Sequence, residues 1–248
     1  MKKEEVQKTI KNGYFWYTDT VKNYVDEKFD GDVYTMMRPR QLRNASDILS
    51  KEFKFDTIKC IETGASHDIK GDGAVGLYLA HICKETGGEF HSVDIDGNLV
   101  KKSKKMYKEL GFDNVNYHTQ DSVEYLENTE FIPNLIHLDS WDVNLKNPMP
   151  SALHGWREFT AIKDKMPVGS IIIIDDNWFD GTWQEWITRD EDGELQNEVI
   201  NVSYTVLGKG AMVWHYIKDK MITNADWEII GDWYDGGEPR KIYIKKVK

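Results

Sequence analysis

The sequence predicts an α/β protein built on one doubly wound, mostly parallel β-sheet. From about residue 56 to residue 176, short apolar runs alternate with amphipathic stretches, which is typical of a parallel sheet with helices on both faces. After residue 176 this alternation stops, and the chain ends in two strand-like segments separated only by DGGEP. That connection is too short for a crossover helix, so the last two strands are predicted to be antiparallel neighbours.

Five parallel strands and four helices are predicted in the alternating region. The predicted strands are 57–63, 89–95, 114–118, 134–139 and 169–175. The predicted helices are 74–86, 98–110, 121–128 and 151–166. The run IIII at 171–174 is apolar at every position, so its strand is expected to be covered on both faces near the middle of the sheet.

Beyond the fifth strand, we expect a helix over 208–221 and strands over 227–234 and 240–246. The result is a Rossmann-like sheet of seven strands with a C-terminal antiparallel hairpin. Residues 1–50 are predicted to form a helical cap over the open end of the sheet, and residues 51–248 the main domain. The stretch RDEDGELQNE (189–198) is interpreted as an exposed acidic insertion that could form part of a lid.

Composition limits the classes of partner and compartment. The chain has 248 residues and a formal net charge of −10, which argues against a nucleic-acid partner because polyphosphate binding favours a basic face. No apolar run approaches the ~20 residues of a membrane span, and the start MKKEEVQKTIKNG lacks the apolar stretch of a signal peptide. Two cysteines cannot form a disulfide framework. We therefore expect a cytoplasmic protein without membrane contact, and either a monomer or a homo-oligomer.

Polar residues follow the first three strands where a parallel sheet binds ligands. Glu62, Gly64 and Ser66 end or follow the first strand, and a glycine-rich loop continues to Gly73. Asp94 ends the second strand, about thirty residues after this loop, where a carboxylate can accept hydrogen bonds from ribose hydroxyls. Gln120 and Asp121 follow the third strand. Each feature also has a purely structural interpretation: a plain turn, a solvated strand end and a helix N-cap.

In this order, the motifs resemble those of class I S-adenosylmethionine-dependent methyltransferases over roughly residues 56–247. The resemblance implies S-adenosylmethionine as cofactor, with Glu62 and Gly64 near its methionine part and Asp94 at its ribose. It places Gln120 and Asp121 beside the adenine. Ser66, Gly73 and Asp139 complete the predicted donor-binding residues. The chain departs from the family at residues 66–70, which are inserted into a loop that is usually compact.

Acids and an amide follow the fourth and fifth strands, in HLDSWD (137–142) and IDDNW (174–178). Their oxygens are the ligands that a hard divalent ion prefers. The pairing resembles the metal-dependent catechol O-methyltransferases, in which L-D-x-W and D-N motifs bind Mg²⁺. The resemblance implies Asp139, Asp176 and Asn177 as metal ligands, with Mg²⁺ foremost and Ca²⁺ or Mn²⁺ as alternatives. Helix capping and solvated strand ends are the structural alternative.

The general base is less well defined by the motifs. The catechol enzymes have a lysine just after the tryptophan, whereas this chain has Asp142, which could be the base, a further metal ligand or neither. His154 is the other predicted catalytic residue, with Glu158 beside it; a surface or capping role is its alternative. Four tryptophans lie near these loops and could wall a pocket or pack the fold: Trp141, Trp178, Trp183 and Trp186.

The sequence thus predicts a metal-dependent O-methyltransferase that acts on a hydroxyl of a small-molecule acceptor, either polyhydroxylated, a sugar or aromatic. Two other functions stay open. One is a non-catalytic module that binds S-adenosylmethionine, since the catechol-type lysine is absent. The other is a nicotinamide-dependent oxidoreductase, against which the terminal hairpin and the missing compact G-x-G-x-x-G motif both argue.

Overall fold

The computed structural model describes residues 1–29, 39–69, 73–179, 183–189, 195–201, 206–219, 226–233 and 240–248. The helices in these ranges are α1 (Lys3–Trp16), α2 (Lys22–Phe29), α3 (Pro39–Glu52), α4 (Gly73–Glu85), α5 (Gly97–Glu109), α6 (Ser122–Asn128), α7 (Met149–Ile162) and α8 (Ala211–Lys218). A π-helical segment, Tyr17–Val21, joins α1 to α2. The strands are β1 (Lys59–Thr63), β2 (Glu89–Asp94), β3 (Val115–Thr119), β4 (Leu135–Leu138), β5 (Ile171–Phe179), β6 (Trp183–Arg189), β7 (Leu195–Asn201), β8 (Val206–Gly208), β9 (Trp227–Trp233) and β10 (Arg240–Lys246).

The main sheet has the strand order β3-β2-β1-β4-β5-β10-β9. Strands β1 to β5 pair in parallel, and β10 is antiparallel to both β5 and β9. These pairings confirm the predicted α/β class, the parallel core and the C-terminal hairpin. An eighth strand that the sequence did not predict, β8, pairs antiparallel with the end of β5.

The four isoleucines of β5 show why this strand is central. Ile171 and Ile173 belong to the hydrophobic cluster on one face of the sheet, and Ile172 and Ile174 to the cluster on the other. All four are fully buried. Side chains alternate between the two faces of a strand, so a run without polar residues is stable only where helices cover both faces. Helices α4 and α5 contribute to the first cluster, and α6, α7 and α8 to the second.

The described N-terminal helices pack on one face of the sheet, whereas the sequence predicted a cap over its open end. Helix α1 packs on α3 and α4, and α3 packs on β9. Their apolar residues belong to the same cluster as Cys60 and Tyr243 of the sheet, because this face would otherwise expose apolar side chains to water. Among the described residues, none of the helices has the length and hydropathy required to cross a bilayer.

Two other segments differ from the sequence predictions. The region predicted as one helix over 208–221 begins with the end of β8, and its helix, α8, is limited to Ala211–Lys218. The predicted acidic insertion overlaps the separate hairpin of β6 and β7. Its central residues, 190–194, and the predicted roles of Trp183 and Trp186 lie outside the residues and side chains that the structure describes.

Candidate functional site

A cavity of about 520 Å³ lies at the carboxyl ends of the parallel strands. Its walls come from residues 64–68 after β1, 93–95 at the end of β2, 121–122 at the start of α6 and 139–142 after β4, completed by Leu99, His154 and Asp176. The strand order reverses between β1 and β4 at this point, where open α/β sheets bind their ligands. The volume lies within the range of roughly 300–1,000 Å³ found for small-molecule sites.

Asp94, at the end of β2, is one of the residues that line the cavity. Its carboxylate accepts hydrogen bonds from the backbone N–H groups of Ala65 (2.9 Å) and Asp96 (2.8 Å). An ionised carboxylate offers about four acceptor positions, so this half-buried group retains positions for the hydroxyls of a ligand. Ile95, which is 73% exposed, adds an apolar surface beside it.

Glu62 is fully buried behind the first loop and is not among the residues that line the cavity. Its carboxylate accepts hydrogen bonds from the hydroxyls of Ser92 (2.7 Å) and Ser66 (2.9 Å), and from the backbone N–H of Ser66 (3.3 Å). Burial raises the pKa of Glu62, while these hydrogen bonds and the nearby His137 oppose the rise. The position of Glu62 fits a residue that holds the loop in shape.

The other predicted donor residues divide into two groups. Gly64, Ser66 and Asp121 line the cavity. Asp121 also caps α6, since its side chain accepts a hydrogen bond from the backbone N–H of Glu124 (3.0 Å), so its two predicted roles are compatible. Gln120 is half-buried and is not a lining residue; its backbone N–H donates to the carbonyl of Asp94 (3.0 Å). Gly73 begins α4, directly after residues 70–72, which lie outside the described ranges.

Asp139 and Asp176, two of the three predicted metal ligands, converge on the ammonium group of Lys209. The Lys209 Nζ lies 2.6 Å from Oδ1 of Asp139 and 2.8 Å from Oδ2 of Asp176. Lys209 is only 3% exposed. Burial alone would lower the pKa of Lys209, but the two carboxylates raise it well above its ordinary value, so the group stays charged.

Asn177, the third predicted ligand, is turned toward the backbone. Its side chain is fully buried and donates to the carbonyls of Ile174 (3.0 Å) and Asp175 (2.9 Å). Its Oδ1 accepts the N–H of Gly210 (2.7 Å). An ion bound by all three residues would have to displace the Lys209 ammonium from the two carboxylates. It would also have to break the hydrogen bond that Asn177 Oδ1 accepts from the backbone N–H of Gly210. The three residues therefore do not fit a divalent ion as a set.

A second buried group of charged residues lies behind Asp139. His137 and Asp175 are each 1% exposed, and ligand atoms of His137, Asp139 and Asp175 lie within 4.8 Å of one another. The Asp175 carboxylate is already paired with the buried Lys241. Burial lowers the pKa of His137 to about 4, with Lys241 and Lys209 acting in the same direction against the attraction of Asp139 and Glu62, so its ring is neutral near pH 7.

His154 lies in the cavity wall within a network of polar side chains. Its Nε2 is 2.9 Å from the hydroxyl of Ser140 and 3.1 Å from that of Ser122. Ser140 donates to Glu158 (2.6 Å), whose carboxylate is 3.6 Å from His154 Nε2. The structure thus unites His154 with Glu158, both candidates from the sequence. Asp142, the other predicted catalytic residue, lines the cavity at an exposed position.

Two cavity residues have backbone conformations that side chains rarely adopt. Trp141 has φ 66° and Asp176 has φ 52°; among the described residues, these are the non-glycine positions with positive φ. Such conformations cost about 1–3 kcal/mol and are concentrated at functional sites. Trp141 is 58% exposed, and its ring centroid is 5.2 Å from that of His154. Trp178, in contrast, is buried in a small apolar cluster and is not among the residues that line the cavity.

Sequence reasoning missed Lys209 and His67. His67 lines the cavity from the inserted part of the first loop, where no motif pointed to it. The available signal for Lys209 was its place between two glycines, in GKG at 208–210, directly before an apolar helix. Two close glycines indicate a backbone held against another segment, but they do not identify that segment.

No family model and no curated protein matches the chain. Among solved structures, the chain is similar to TrmN from Thermus thermophilus, with a TM-score of 0.52 and 10% identity over 83% of this chain and 48% of that one. It is also similar to SMU.1697c from Streptococcus mutans, provisionally described as a methyltransferase and solved in complex with SAH. That match has a TM-score of 0.50 and 14% identity, over 85% of this chain and 98% of the other. The chain therefore has the Rossmann-like α/β fold that its sequence predicted, which it shares with these two structures.

Proposed function

We propose that this protein is an S-adenosylmethionine-dependent methyltransferase that transfers the methyl group to a hydroxyl of a small polar acceptor. The observation that carries the proposal is one continuous cavity, which Asp94 and Asp121 line together with Trp141 and His154. Such a cavity can hold a nucleoside and a second small molecule next to each other. The SAH bound to SMU.1697c, a protein with the same fold, supports this choice of cofactor.

The donor is proposed to bind along the carboxyl ends of β1 and β2 and the start of α6. Its ribose hydroxyls would donate to Asp94, which retains free acceptor positions. The adenine would pack on Ile95 and Leu99, with Asp121 at its edge. The methionine part would then extend over Gly64, where the absence of a side chain allows close approach to the backbone.

The acceptor is proposed to bind against Trp141 and His154, whose rings lie side by side in the cavity wall with centroids 5.2 Å apart. In the reaction, a C–O bond forms as the C–S bond of the sulfonium breaks, and the bonding electron pair stays on sulfur. The proton of the acceptor hydroxyl passes to His154, because this ring lies in the wall beside the buried carboxylate of Glu158. Asp142 lies at the rim, which suits contact with the acceptor better than proton transfer. Holding both reactants in line is the main contribution expected of the protein.

The acceptor class follows from the lining and the charge. Serines, aspartates and histidines line much of the cavity, and Trp141 offers a flat surface for a sugar or an aromatic ring. The net charge of −10 disfavours polyanionic acceptors. The predicted Mg²⁺, Ca²⁺ or Mn²⁺ takes no part in this proposal, because its three ligands do not fit an ion as a set.

Calorimetric titration with S-adenosylmethionine and SAH tests the donor site. Asp94→Asn should weaken binding at least about tenfold, since hydrogen bonds to a charged group contribute about 1.5–3 kcal/mol each. Asp96→Asn is the matched control, because Asp96 caps α5 two residues further on and does not line the cavity. The affinity of Asp96→Asn for SAH should stay within about twofold of the wild-type value, a change in binding free energy below ~0.5 kcal/mol.

The outcomes separate the competing functions. Binding of NAD(H) without binding of the adenosyl ligands would overturn the methyltransferase proposal in favour of an oxidoreductase. Tight SAH binding, but no SAH production from S-adenosylmethionine with any polyhydroxylated or aromatic acceptor in a broad screen, would favour the non-catalytic binding module.

A further inference from the structure

The side chain of Lys209 occupies the position between Asp139 and Asp176. The two carboxylates lie 2.6 and 2.8 Å from the Lys209 ammonium, and both residues line the cavity while Lys209 is buried beneath it. Two carboxylates this close repel each other unless a cation lies between them. The cation that neutralises them here belongs to the chain itself.

The backbone around Lys209 is fixed to β5. Gly208 has φ 117°, and a Cβ at this position would overlap the carbonyl oxygen of Asp176. Gly210 donates its N–H to Asn177, and a Cβ there would lie 2.8 Å from the Asn177 Oδ1. Both glycines are therefore needed for the close approach of this segment to β5. That approach places the Lys209 side chain beside the two carboxylates.

Helix α7 closes the other side of the same segment. A Cβ at Gly155 would overlap the carbonyl oxygen of Lys209, so this helix can pack on the lysine backbone only through a glycine. Lys209 is consequently enclosed between β5 and α7. Its ammonium cannot leave the carboxylates for water without disrupting this packing, and an unpaired buried charge is strongly unfavourable.

The charge states are consistent with a permanent ion pair. The pKa of Lys209 is raised by Asp139 and Asp176. Burial alone would raise the pKa of Asp139, but Lys209, His137 and Lys241 together lower it below its ordinary value. Both partners are thus charged across the neutral pH range, and the pair needs no further ion.

We propose that Lys209 is the resident cation of this site: its ammonium fills the position between Asp139 and Asp176 where a divalent ion would bind, and it positions both carboxylates at the cavity without a metal. A role of this arrangement in methyl transfer rests on the function proposed above. Exclusion of a metal by the ammonium is independent of that function and is tested separately.

The test measures Mn²⁺ binding by electron paramagnetic resonance, on the full chain without donor or acceptor. Wild type should show no saturable Mn²⁺ site. Lys209→Ala leaves the two carboxylates without a cation, so it should bind one Mn²⁺ per chain, at least about tenfold more tightly than any non-saturable binding by wild type. This gain should disappear in the double variant Lys209→Ala/Asp139→Asn. Lys218→Ala, an equal change of charge at an exposed residue of α8, should bind as wild type does.

The wild-type measurement is decisive even if Lys209→Ala fails to fold, which far-UV circular dichroism would reveal. One saturable Mn²⁺ per wild-type chain, lost in Asp139→Asn or Asp176→Asn, would overturn the proposal. Once an acceptor is found, turnover by wild type should be unchanged by a chelator, and turnover by Lys209→Met should fall while SAH affinity is maintained. Failure of SAH to bind would refute the proposed function and leave the Mn²⁺ result intact.

Discussion

The buried lysines beneath the cavity are each in contact with carboxylates. Lys209 bridges Asp139 and Asp176, and Lys241 pairs with Asp175. Moving an unpaired ion into a protein interior costs several kcal/mol, so removing one partner of such a pair is far more damaging than removing an exposed charge. This pairing explains why polar residues can follow the central strands so closely without disrupting the core.

His137 differs from these residues because it is buried without hydrogen bonds. Neither of its ring nitrogens has a hydrogen-bond partner within the described part of the chain, and burial lowers its pKa from 6.5 to about 4. The unfolded chain therefore binds a proton at a higher pH than the folded chain does. His137 contributes stability above pH 6.5 that is lost as the pH falls toward 4, and the full loss is roughly 3 kcal/mol.

His137→Leu should flatten this part of the pH dependence. Urea unfolding from pH 7 to pH 4.5 should show a smaller fall in the free energy of unfolding for the variant than for wild type. His215→Leu, which removes an exposed histidine from α8, is the control for loss of an imidazole. Parallel curves for wild type and His137→Leu would contradict the prediction.

Among the elements, the loops after β1 and β4 form the centre of the site because they touch each other. Gly64 follows β1 with φ 82°, and a Cβ there would lie 2.5 Å from the carbonyl oxygen of Asp139. The backbone N–H of Asp139 in turn donates to the carbonyl of Thr63 (2.9 Å). The two loops in close contact therefore form one continuous part of the cavity wall.

Gly64→Ala and Gly111→Ala separate this close contact from backbone strain. Gly111 has φ 84°, almost the same as Gly64, but a Cβ at Gly111 meets nothing within 4 Å. Gly111→Ala should cost about 1–2 kcal/mol of unfolding free energy from conformation alone. Gly64→Ala should cost about 1–3 kcal/mol more, because it overpacks the loop against the backbone.

Urea unfolding measures both variants, and SAH titration adds a functional measurement. Only Gly64→Ala should weaken SAH binding, since Gly111 lies in the turn after α5, away from the cavity. Equal losses of stability in the two variants would show that the contact with Asp139 contributes nothing beyond the positive φ.

For the whole molecule, the N-terminal helices are part of the core. Four apolar residues of these helices are fully buried: Val6, Ile10, Leu42 and Leu49. Hydrogen bonds link the same segment to the rest of the domain: the Tyr78 hydroxyl donates to the carbonyl of Ile10 (2.8 Å), and that of Tyr17 donates to the carbonyl of Ile69 (3.1 Å).

Removal of residues 1–52 should therefore prevent folding. Each large apolar side chain contributes about 1.5–3 kcal/mol when buried, so the loss is comparable to the total stability of about 5–15 kcal/mol of a typical protein. Circular dichroism and binding of a hydrophobic dye would detect the unfolded chain. Lys8→Asp, at an exposed position of α1, should fold normally, whereas Ile10→Asp should not. A truncated chain with the melting temperature of the full protein would identify the segment as a separable cap.

Local patterns in the sequence determined the parallel strands and the polar residues that end them. The IIII run predicted a central strand, and Asp94, Asp121 and His154 were predicted to reach the site because each lies at the end of a strand or in the helix that follows. Such predictions can be made from a sequence because side-chain periodicity and strand-end position are properties of short segments. The packing of residues 1–52 on a sheet face could not be predicted in this way, since amphipathic helices do not specify which apolar surface they cover.

Only the tertiary structure decided what lies between the acids. Lys209 is 70 residues from Asp139 along the chain, and its side chain reaches the site because β8 pairs with β5 and two glycines allow close approach. The sequence motif L-D-x-W with D-N predicted an ion, whereas the fold supplies an ammonium group and turns Asn177 toward the backbone. Electrostatic partners depend on distances in space, and a linear pattern records the acids but not the cation that neutralises them.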